Sequence, residues 1–422
     1  MIDARSEWRA GWPVVLAGAI GIGVTSMHFY SLGLLVQPLT DAFGWSRAQI
    51  TSGPAIVAVI NLFIAARIGR LVDRIGVRKV AIPGYVAYCL SLAALGAAGA
   101  QAWTWFALWS LVGISYAFAG ASLWALAVAS RFDRSRGLAL AVALCGTGLI
   151  GAGTPVLGSI VLTRFGWQAT YAMLAGTALI AGLPLLLRFL HSARDLDLKR
   201  PEAAEAAVEL PGLYYREALA SRRFWMLAAA AALIGAGIAG LIVHFIPMAI
   251  QRGIAPEAAA RAGGLIGAAA ILGRLVTGTL MDHLPGRLVG GALFLLPMVA
   301  CLLLWAGAET LEVMIFAALI IGFATGAEFD VLAVLVSRYL GMRSYAAIYG
   351  LIAALFGIGV GFGPAIGGAL FDSFGSYQSM LWFLAGVFMA AAALLFLLGP
   401  YPNWHAAAAE AGPPPEAPPE AR

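Results

Sequence analysis

Three charged side chains, one Arg, one Glu and one Asp, lie well inside apolar stretches of this 422-residue sequence that are long enough to cross a bilayer. Arg274 stands in one stretch, and Glu328 and Asp330 stand in another. On insertion scales a charge at bilayer depth costs at least about 2.5 kcal/mol, so each residue needs a partner, a water-filled cavity or a use. Arginine suits the binding of a carboxylate, because its planar fork donates two parallel hydrogen bonds and stays charged when desolvated.

Arg274 and Asp330 are expected at similar depth. Arg274 lies eight residues before Asp282, and Asp330 lies eight residues before Arg338. Each separation is about 12 Å along a helix. Since the two stretches are predicted to run in the same direction, the two side chains can meet across a cavity. Two interpretations follow: Arg274 binds a carboxylate, or it forms a purely structural ion pair with Asp330.

Glu328 and Asp330 are two residues apart, so on a helix their side chains point about 200° from each other. We expect one of them to face the cavity. A carboxyl group beside a buried arginine can take up a proton when a bound anion occupies that arginine, which makes Asp330 or Glu328 a candidate for proton coupling. Either side chain can instead bond to backbone or hydroxyl groups of a neighbouring helix.

Further polar side chains in the apolar stretches are candidates to shape the same cavity. Histidine titrates near neutral pH, and phenol and amide groups donate hydrogen bonds. Packing inside a helix bundle is an equally good interpretation of each. The candidates are His244, Tyr116, Tyr30, Asn61 and Tyr349.

The composition excludes a soluble globular protein. The sequence is 61% hydrophobic and 11% charged, whereas soluble domains carry about a quarter charged residues. The formal net charge of +5 lies in short loops, where it indicates topology rather than a nucleic-acid partner. No phosphate-binding loop, metal cluster or nucleophile constellation occurs in the sequence, so neither an enzyme nor a cofactor is expected.

Twelve apolar stretches predict an all-α membrane protein with twelve transmembrane helices. The predicted spans are 13–37, 48–69, 80–100, 103–129, 137–162, 168–189, 223–250, 261–281, 288–307, 311–336, 344–370 and 377–399.

The distribution of Lys and Arg predicts the orientation. With a cytoplasmic amino terminus, four arginines fall outside and Arg274 lies within a span, which leaves 21 of the 26 basic residues inside. Such an excess is the positive-inside pattern. We therefore expect a multi-pass protein of the bacterial inner membrane with both termini in the cytoplasm.

The longest polar stretch divides the chain. Residues 191–222 are predicted to form a cytoplasmic linker between an N-terminal six-helix bundle at 1–190 and a C-terminal six-helix bundle at 223–399. The tail at 400–422 is rich in Pro and Ala and cannot bury a core, so we expect it to be disordered.

The two halves repeat at an offset of about 209 residues. GRLVD at 69–73 aligns with GTLMD at 278–282, and SRFDRSR at 130–136 aligns with SRYLGMR at 337–343. A parallel repeat of six spans predicts two pseudo-symmetric halves related by an axis normal to the membrane.

The loop sequence GRLVDRIGVRK at 69–79 resembles the cytoplasmic signature between helices 2 and 3 of the major facilitator superfamily, and the topology and repeat extend the resemblance over nearly the whole chain. The resemblance implies a conformational role, in which Asp73 helps to latch the halves in the outward-open state. Asp282 is the weaker counterpart, because LPGR replaces the basic run there. The motif residues are Gly69, Asp73, Arg74, Gly76, Arg78 and Asp282.

Within that superfamily the chain is most similar to the bacterial monocarboxylate porter and oxalate:formate antiporter branch. EALASRRFW before the seventh span, Arg274 and the segment 326–350 carry this resemblance. It implies transport of small carboxylates, with a proton or in exchange, and Arg274 as the substrate anchor. The lysine that oxalate:formate antiporters carry in helix 11 is missing, because the only lysines are Lys79 and Lys199. A single cationic anchor favours a monoanion.

Together these features predict a secondary transporter that moves a small organic monocarboxylate by alternating access, with protons as the symported partner. The alternatives are a carboxylate exchanger, a proton-coupled drug exporter and a transport-dead sensor of the same fold. We expect a monomer in the lipid bilayer.

Overall fold

Helices make up nearly all of the described structure. The computed structural model describes residues 4–132, 134–196, 211–307 and 309–402. Within these ranges the connections are short, and one isolated bridge joins Gly212 to Gly341. Part of the predicted linker and nearly all of the predicted tail lie outside the described residues.

The N-terminal half crosses the membrane six times. Its helices are α1 (Ala4–Thr25), α2 (Met27–Phe43), α3 (Arg47–Thr51), α4 (Gly53–Ile75), α5 (Val77–Ala94), α6 (Ala102–Ala119), α7 (Ala121–Ala129) and α8 (Arg136–Phe189). α1 and α2 form one crossing, as do α3 with α4 and α6 with α7. α8 forms two crossings, because Gly166 adopts φ 81° and ψ 176°, a backbone conformation that favours glycine.

The C-terminal half supplies six further crossings. Its helices are α9 (Tyr215–Ala220), α10 (Arg222–Gln251), α11 (Pro256–His283), α12 (Gly286–Ala306), α13 (Leu311–Leu340), α14 (Tyr345–Phe374) and α15 (Tyr377–Phe396). Within the described ranges, eleven helical segments are long and apolar enough to cross a membrane, with α8 counted once. The prediction of an all-α protein with twelve transmembrane crossings is confirmed.

The first helix begins earlier than its hydropathy predicts. Sequence places the start of the first span at residue 13, whereas α1 begins at Ala4. The Glu7 carboxylate accepts hydrogen bonds from the backbone N–H groups of Arg134 and Ser135, at 3.1 and 3.0 Å. These bonds tie the polar first turns to the N-terminal half, a contact that hydropathy does not register.

The core of the N-terminal half is built on large aromatic side chains. Trp105, Trp109 and Trp124 have no exposed surface. The Trp105 indole N–H donates to the Ile50 carbonyl at 3.1 Å and so joins α6 to α3. A side chain at Gly53 would overlap the Trp109 ring, so glycine is needed where α4 crosses α6.

α14 and the α3–α4 pair touch at one end of the molecule and separate toward the other. A Cβ built on Gly368 would lie 2.7 Å from the Ala48 nitrogen, and one built on Gly361 would lie 3.0 Å from the Pro54 carbonyl oxygen. On the same helix, a Cβ at Gly350 would have no neighbour within 4 Å. The spacing between these helices therefore widens along their length.

α8 and α11 follow the same gradient. A Cβ on Gly264 would lie 2.7 Å from the Ala152 carbonyl oxygen, whereas Gly278, further along α11, has open space around it. We call the end where the halves meet, at residues 43–47, 251–256 and 374–377, the closed end. The opposite end, at residues 66–79 and 342–350, is the open end.

Candidate functional site

A cleft lies between the halves at the middle of the molecule, on the open-end side of their contact. α2 and α8 of one half and α11 and α13 of the other form its walls. The residues that line it are Tyr30, Leu144, Cys145, Thr147, Gly148, Ala270, Ile271, Arg274, Thr325 and Gly326.

Close packing of α11 on α13 positions Arg274. A side chain at Gly326 would overlap the Ala270 carbonyl, and one at Gly273 would overlap the Phe323 carbonyl. These two glycines let the helix backbones touch, which brings the Gly326 carbonyl within reach of Arg274. The Arg274 Nε–H donates to that carbonyl at 3.0 Å. The guanidinium is thereby held at the floor of the cleft.

Asp330 forms an ion pair with Arg274, as its predicted depth allowed. The Arg274 Nε lies 3.2 Å from the Asp330 Oδ2, with side-chain exposures of 11% and 38%. Both contacts of the guanidinium use Nε. Within the described residues, no hydrogen bond engages its two Nη groups. Arg274 therefore presents a pair of donors to the cleft while its charge is already balanced in part.

Glu328 lies on the same helix as Asp330 but in a different environment. Its side chain is 6% exposed, and its Oε2 is buried without a hydrogen-bond partner in the part of the chain that the structure describes. The carboxyl group is within electrostatic range of Arg274. Glu328 is thus a carboxyl group that its local structure does not satisfy.

Tyr30 faces these groups from the other half. A Cβ at Gly151 would lie 2.8 Å from the Tyr30 ring, so the absence of a side chain there gives the ring its place against α8. The phenol is within electrostatic range of both Glu328 and Arg274. The structure therefore brings together Tyr30, Arg274, Glu328 and Asp330 from the predicted set.

Tyr349 lies at the edge of this group. Its ring stacks on Tyr345, with centroids 5.5 Å apart and planes 4° from parallel. It is within electrostatic range of Asp330. Tyr349 itself is not among the residues that line the cleft.

Tyr116 and Asn61 are not among the residues that line the cleft. The Tyr116 ring packs edge-on against His28 at 5.5 Å, inside the N-terminal half. The Asn61 amide donates to the carbonyls of Val57 at 2.8 Å and Gly113 at 3.3 Å, which joins α4 to α6. Both side chains have structural partners in their own half.

His244 is also separate from the cleft. Its imidazole has no exposed surface. Nδ1 lies 3.2 Å from the Tyr377 hydroxyl, and Nε2 lies 2.8 Å from the Pro364 carbonyl. Both ring nitrogens therefore have partners near the closed end, and the geometry gives His244 a different environment from Arg274.

The motif at 69–79 lies at the open end. Gly76 has φ +93° and joins α4 to α5, a conformation that favours glycine. Arg78 donates to the Leu187 and Leu190 carbonyls at 2.6 and 2.7 Å, and so caps the last turn of α8. Gly69, Asp73 and Arg74 are exposed, whereas the side chain of Asp282 lies outside the described residues.

A second cluster, at the closed end, was missed by sequence reasoning. Asp372, at the end of α14, accepts hydrogen bonds from the backbone N–H groups of Arg47 and Ala48 in the opposite half. One signal for it exists in the sequence. GALFDSFG at 368–375 repeats the glycine, leucine and aspartate spacing of GRLVDRIG at 69–76.

No group of three or more His, Cys, Asp or Glu side chains among the described residues has the arrangement of a metal site. Cys89 and Cys301 are buried. Cys145 differs, because it lines the cleft beside Arg274.

Comparison with known proteins gives relatives over most of the chain. Residues 18–355 match the family model described as Major Facilitator Superfamily. Monocarboxylate transporter 11 of Mus musculus is 30% identical, over 87% of this chain and 83% of that protein.

Solved structures share the fold. A bacterial homologue of the human lysosomal transporter Spinster, in an inward-facing and unoccupied conformation, has a TM-score of 0.69 at 18% identity and covers 91% of this chain and 96% of its own. The nucleoside transporter NupG, in a mutant form, has a TM-score of 0.72 at 13% identity, over 92% of this chain and 100% of its own. With the family match, these findings establish that the chain belongs to the Major Facilitator Superfamily and is a multi-pass membrane transporter.

Proposed function

We propose that this transporter moves a small organic monocarboxylate across the bacterial inner membrane, together with a proton, and that Arg274 binds the carboxylate. One observation carries the proposal: the guanidinium is held in a cleft between the halves by its Nε, while its two Nη groups have no hydrogen-bond partner among the described residues. Two parallel donors match the two oxygens of a carboxylate. The name of the mouse relative supports the same class of substrate.

The single cation limits the charge of the substrate. Among the residues that line the cleft, Arg274 is the one cationic side chain, and Leu144, Ala270 and Ile271 supply apolar surface. A second carboxylate on the substrate would therefore be desolvated without a partner, which is costly. A monoanion with a short apolar body fits this lining.

Asp330 and Glu328 have different roles in the proposed cycle. Asp330 is paired with Arg274 and is 38% exposed, so an incoming carboxylate competes with it for the guanidinium. Glu328 is buried with an unsatisfied oxygen, so its charged form is disfavoured in that position. We assign proton uptake to Glu328 and the balancing of the empty arginine to Asp330.

The opening of the cleft toward one end fits alternating access. Substrate would leave or enter at the open end while the closed end blocks the other side, and rocking of the halves would reverse the two. With the orientation expected from the basic residues, the open end faces the cytoplasm.

The test is uptake of radiolabelled monocarboxylates by proteoliposomes with and without an inward proton gradient. We expect gradient-stimulated uptake by the wild type and a loss of about a hundredfold for Arg274→Ala. Arg261→Ala is the matched control, since Arg261 lies on the same helix and is exposed. If Arg274→Ala transports like the control, the carboxylate anchor is refuted and a drug exporter becomes the better hypothesis.

Uptake measurements on the same proteoliposomes distinguish symport from exchange. Symport predicts accumulation that depends on the gradient and needs no internal acid. An exchanger would instead require unlabelled acid inside and would be indifferent to the gradient. That second result would refute the role assigned to Glu328 but leave Arg274 as the anchor.

A further inference from the structure

Asp372 joins the two halves through backbone hydrogen bonds. Its Oδ1 accepts from the Arg47 N–H at 3.0 Å, and its Oδ2 accepts from the Ala48 N–H at 2.8 Å. Each carboxylate oxygen thus satisfies one N–H at the start of α3, where no partner exists within the helix. Gly368, one turn earlier on α14, makes this approach possible, because a Cβ there would lie 2.7 Å from the Ala48 nitrogen.

The Arg47 side chain reinforces the same junction. Its guanidinium carbon lies 3.6 Å from the centroid of the Phe371 ring, and it donates to the Tyr377 hydroxyl. Arg47 is only 8% exposed. The contacts of Asp372 and Arg47 therefore join α14 to α3 across the boundary between the halves.

A third contact lies one turn deeper. The Thr51 hydroxyl donates to the Pro364 carbonyl at 2.9 Å, and the same carbonyl lies 2.8 Å from the His244 Nε2. His244 in turn contacts Tyr377. The contacts of the closed end form one network that spans α3, α10, α14 and α15.

Asp372 is related to Asp73 by position as well as by spacing. GRLVD ends α4 at the open end, and GALFD ends α14 at the closed end. α4 and α14 pack against each other across the halves, and they run in opposite directions through the molecule. Asp372 therefore lies beside the start of α3 in the opposite half. Asp73 lies on the side of the molecule where α14 begins.

We propose that Asp372 is the latch of the closed end, which stabilises the present state of the transporter in the way expected of Asp73 for the opposite state. Its two hydrogen bonds exist only while α14 touches α3, so they lower the free energy of one conformation and not of the other. The inference concerns conformation and holds for any substrate.

The test measures the populations of the two states by double electron–electron resonance, in a background with Cys89, Cys145 and Cys301 replaced by Ala. Spin labels at Arg164→Cys with Glu257→Cys report the closed end, and labels at Ala66→Cys with Ala347→Cys report the open end. All four positions are exposed. In Asp372→Asn we expect the ratio of the closed to the separated population at the closed end to fall about five- to tenfold.

Two controls make the result specific. Glu312→Gln removes another carboxylate near the same end, an exposed one in the first turn of α13, and it should leave the ratio unchanged. Asp73→Asn should shift the populations in the opposite direction. An unchanged ratio in folded Asp372→Asn, or an equal shift in Glu312→Gln, would overturn the proposal.

A second variant covers the case in which Asp372→Asn fails to fold. Arg47→Gln keeps the backbone N–H but removes the contacts with Phe371 and Tyr377. It should shift the closed end in the same direction. A folded Arg47→Gln protein with the wild-type ratio contradicts a latch at this junction.

Discussion

Two carboxyl groups lie only two residues apart, but we assign them different roles because their surroundings differ. Asp330 pairs with the guanidinium of Arg274 and is 38% exposed, whereas Glu328 is buried and one of its oxygens has no partner among the described residues. Sequence identified both residues and the arginine, since each is an ionisable group at membrane depth. The sequence did not show which of the two carboxyl groups has which role, because that depends on which side chain the neighbouring helices cover.

Glu328→Gln tests the assignment of the proton. Glutamine has nearly the same size and cannot be charged, so the variant resembles the protonated carrier in every step. We expect accumulation driven by a proton gradient to fall to the level without a gradient, while exchange of labelled for unlabelled acid continues. Glu312→Gln, exposed on the same helix, is the control. Normal gradient-driven accumulation by Glu328→Gln would exclude this role.

Cys145 offers a chemical probe of the cleft. A small anionic methanethiosulfonate should modify it and block uptake, because the thiol lies beside Arg274, whereas Cys89 and Cys301 are each 1% exposed. Substrate at about ten times its Kd should slow the modification about tenfold, since it occupies the cleft. The rate is measured by mass spectrometry. Cys145→Ala must be insensitive; inhibition of that variant, or modification that substrate does not slow, would place the binding site elsewhere.

Among the helices, glycine residues at the contacts determine how closely the two halves approach each other. Gly361 of α14 lies against Pro54 of α4, and a Cβ there would be 3.0 Å from the Pro54 carbonyl, while Gly357 has open space one turn away. These two positions are a matched pair on one helix. They differ in that a Cβ at Gly361 would meet α4, whereas a Cβ at Gly357 would have no neighbour within 4 Å.

Gly361→Ala should separate the closed end and slow transport about tenfold, because overpacking at a tight contact costs about 1–3 kcal/mol. Gly357→Ala should leave the spin-label distances at the closed end as they are. Uptake rates and the distance distribution between residues 164 and 257 measure both effects. Equal behaviour of the two variants would show that this contact does not limit closure.

Much of the arrangement of elements follows from the sequence, and the rest depends on contacts between distant residues. Hydropathy predicted the twelve crossings, because each must be apolar over its length. It did not predict the early start of α1, which depends on Glu7 reaching residues 134 and 135. Nor did it predict the pairing of Asp372 with Arg47, 325 residues apart in the chain.

For the whole molecule, the proposed alternating-access cycle makes this structure one of two states. The halves meet at the closed end and diverge toward the open end. A single sequence encodes both states, so sequence alone cannot indicate which one is adopted. Four of the predicted ligand contacts are not among the residues that line the cleft in this state: His244, Tyr116, Asn61 and Tyr349.

The orientation of the molecule is tested by labelling single cysteines in intact cells, in the background without native cysteines. Arg164→Cys and Gly137→Cys lie near opposite ends of the first crossing of α8 and are exposed. The excess of basic residues near the open end predicts that an impermeant maleimide labels residue 164 from outside and residue 137 only after permeabilisation. The reverse pattern would invert the proposed topology.

Equilibrium binding of each labelled monocarboxylate to the purified protein tests whether Arg274 binds the substrate, because binding needs neither a gradient nor a complete transport cycle. We expect saturable binding by the wild type, an unchanged affinity for Arg261→Ala, and an affinity about a hundredfold lower for Arg274→Ala. Arg274→Lys should recover only part of the loss, since an ammonium group lacks the paired planar donors. Wild-type affinity in Arg274→Ala would contradict the claim that this arginine binds the substrate.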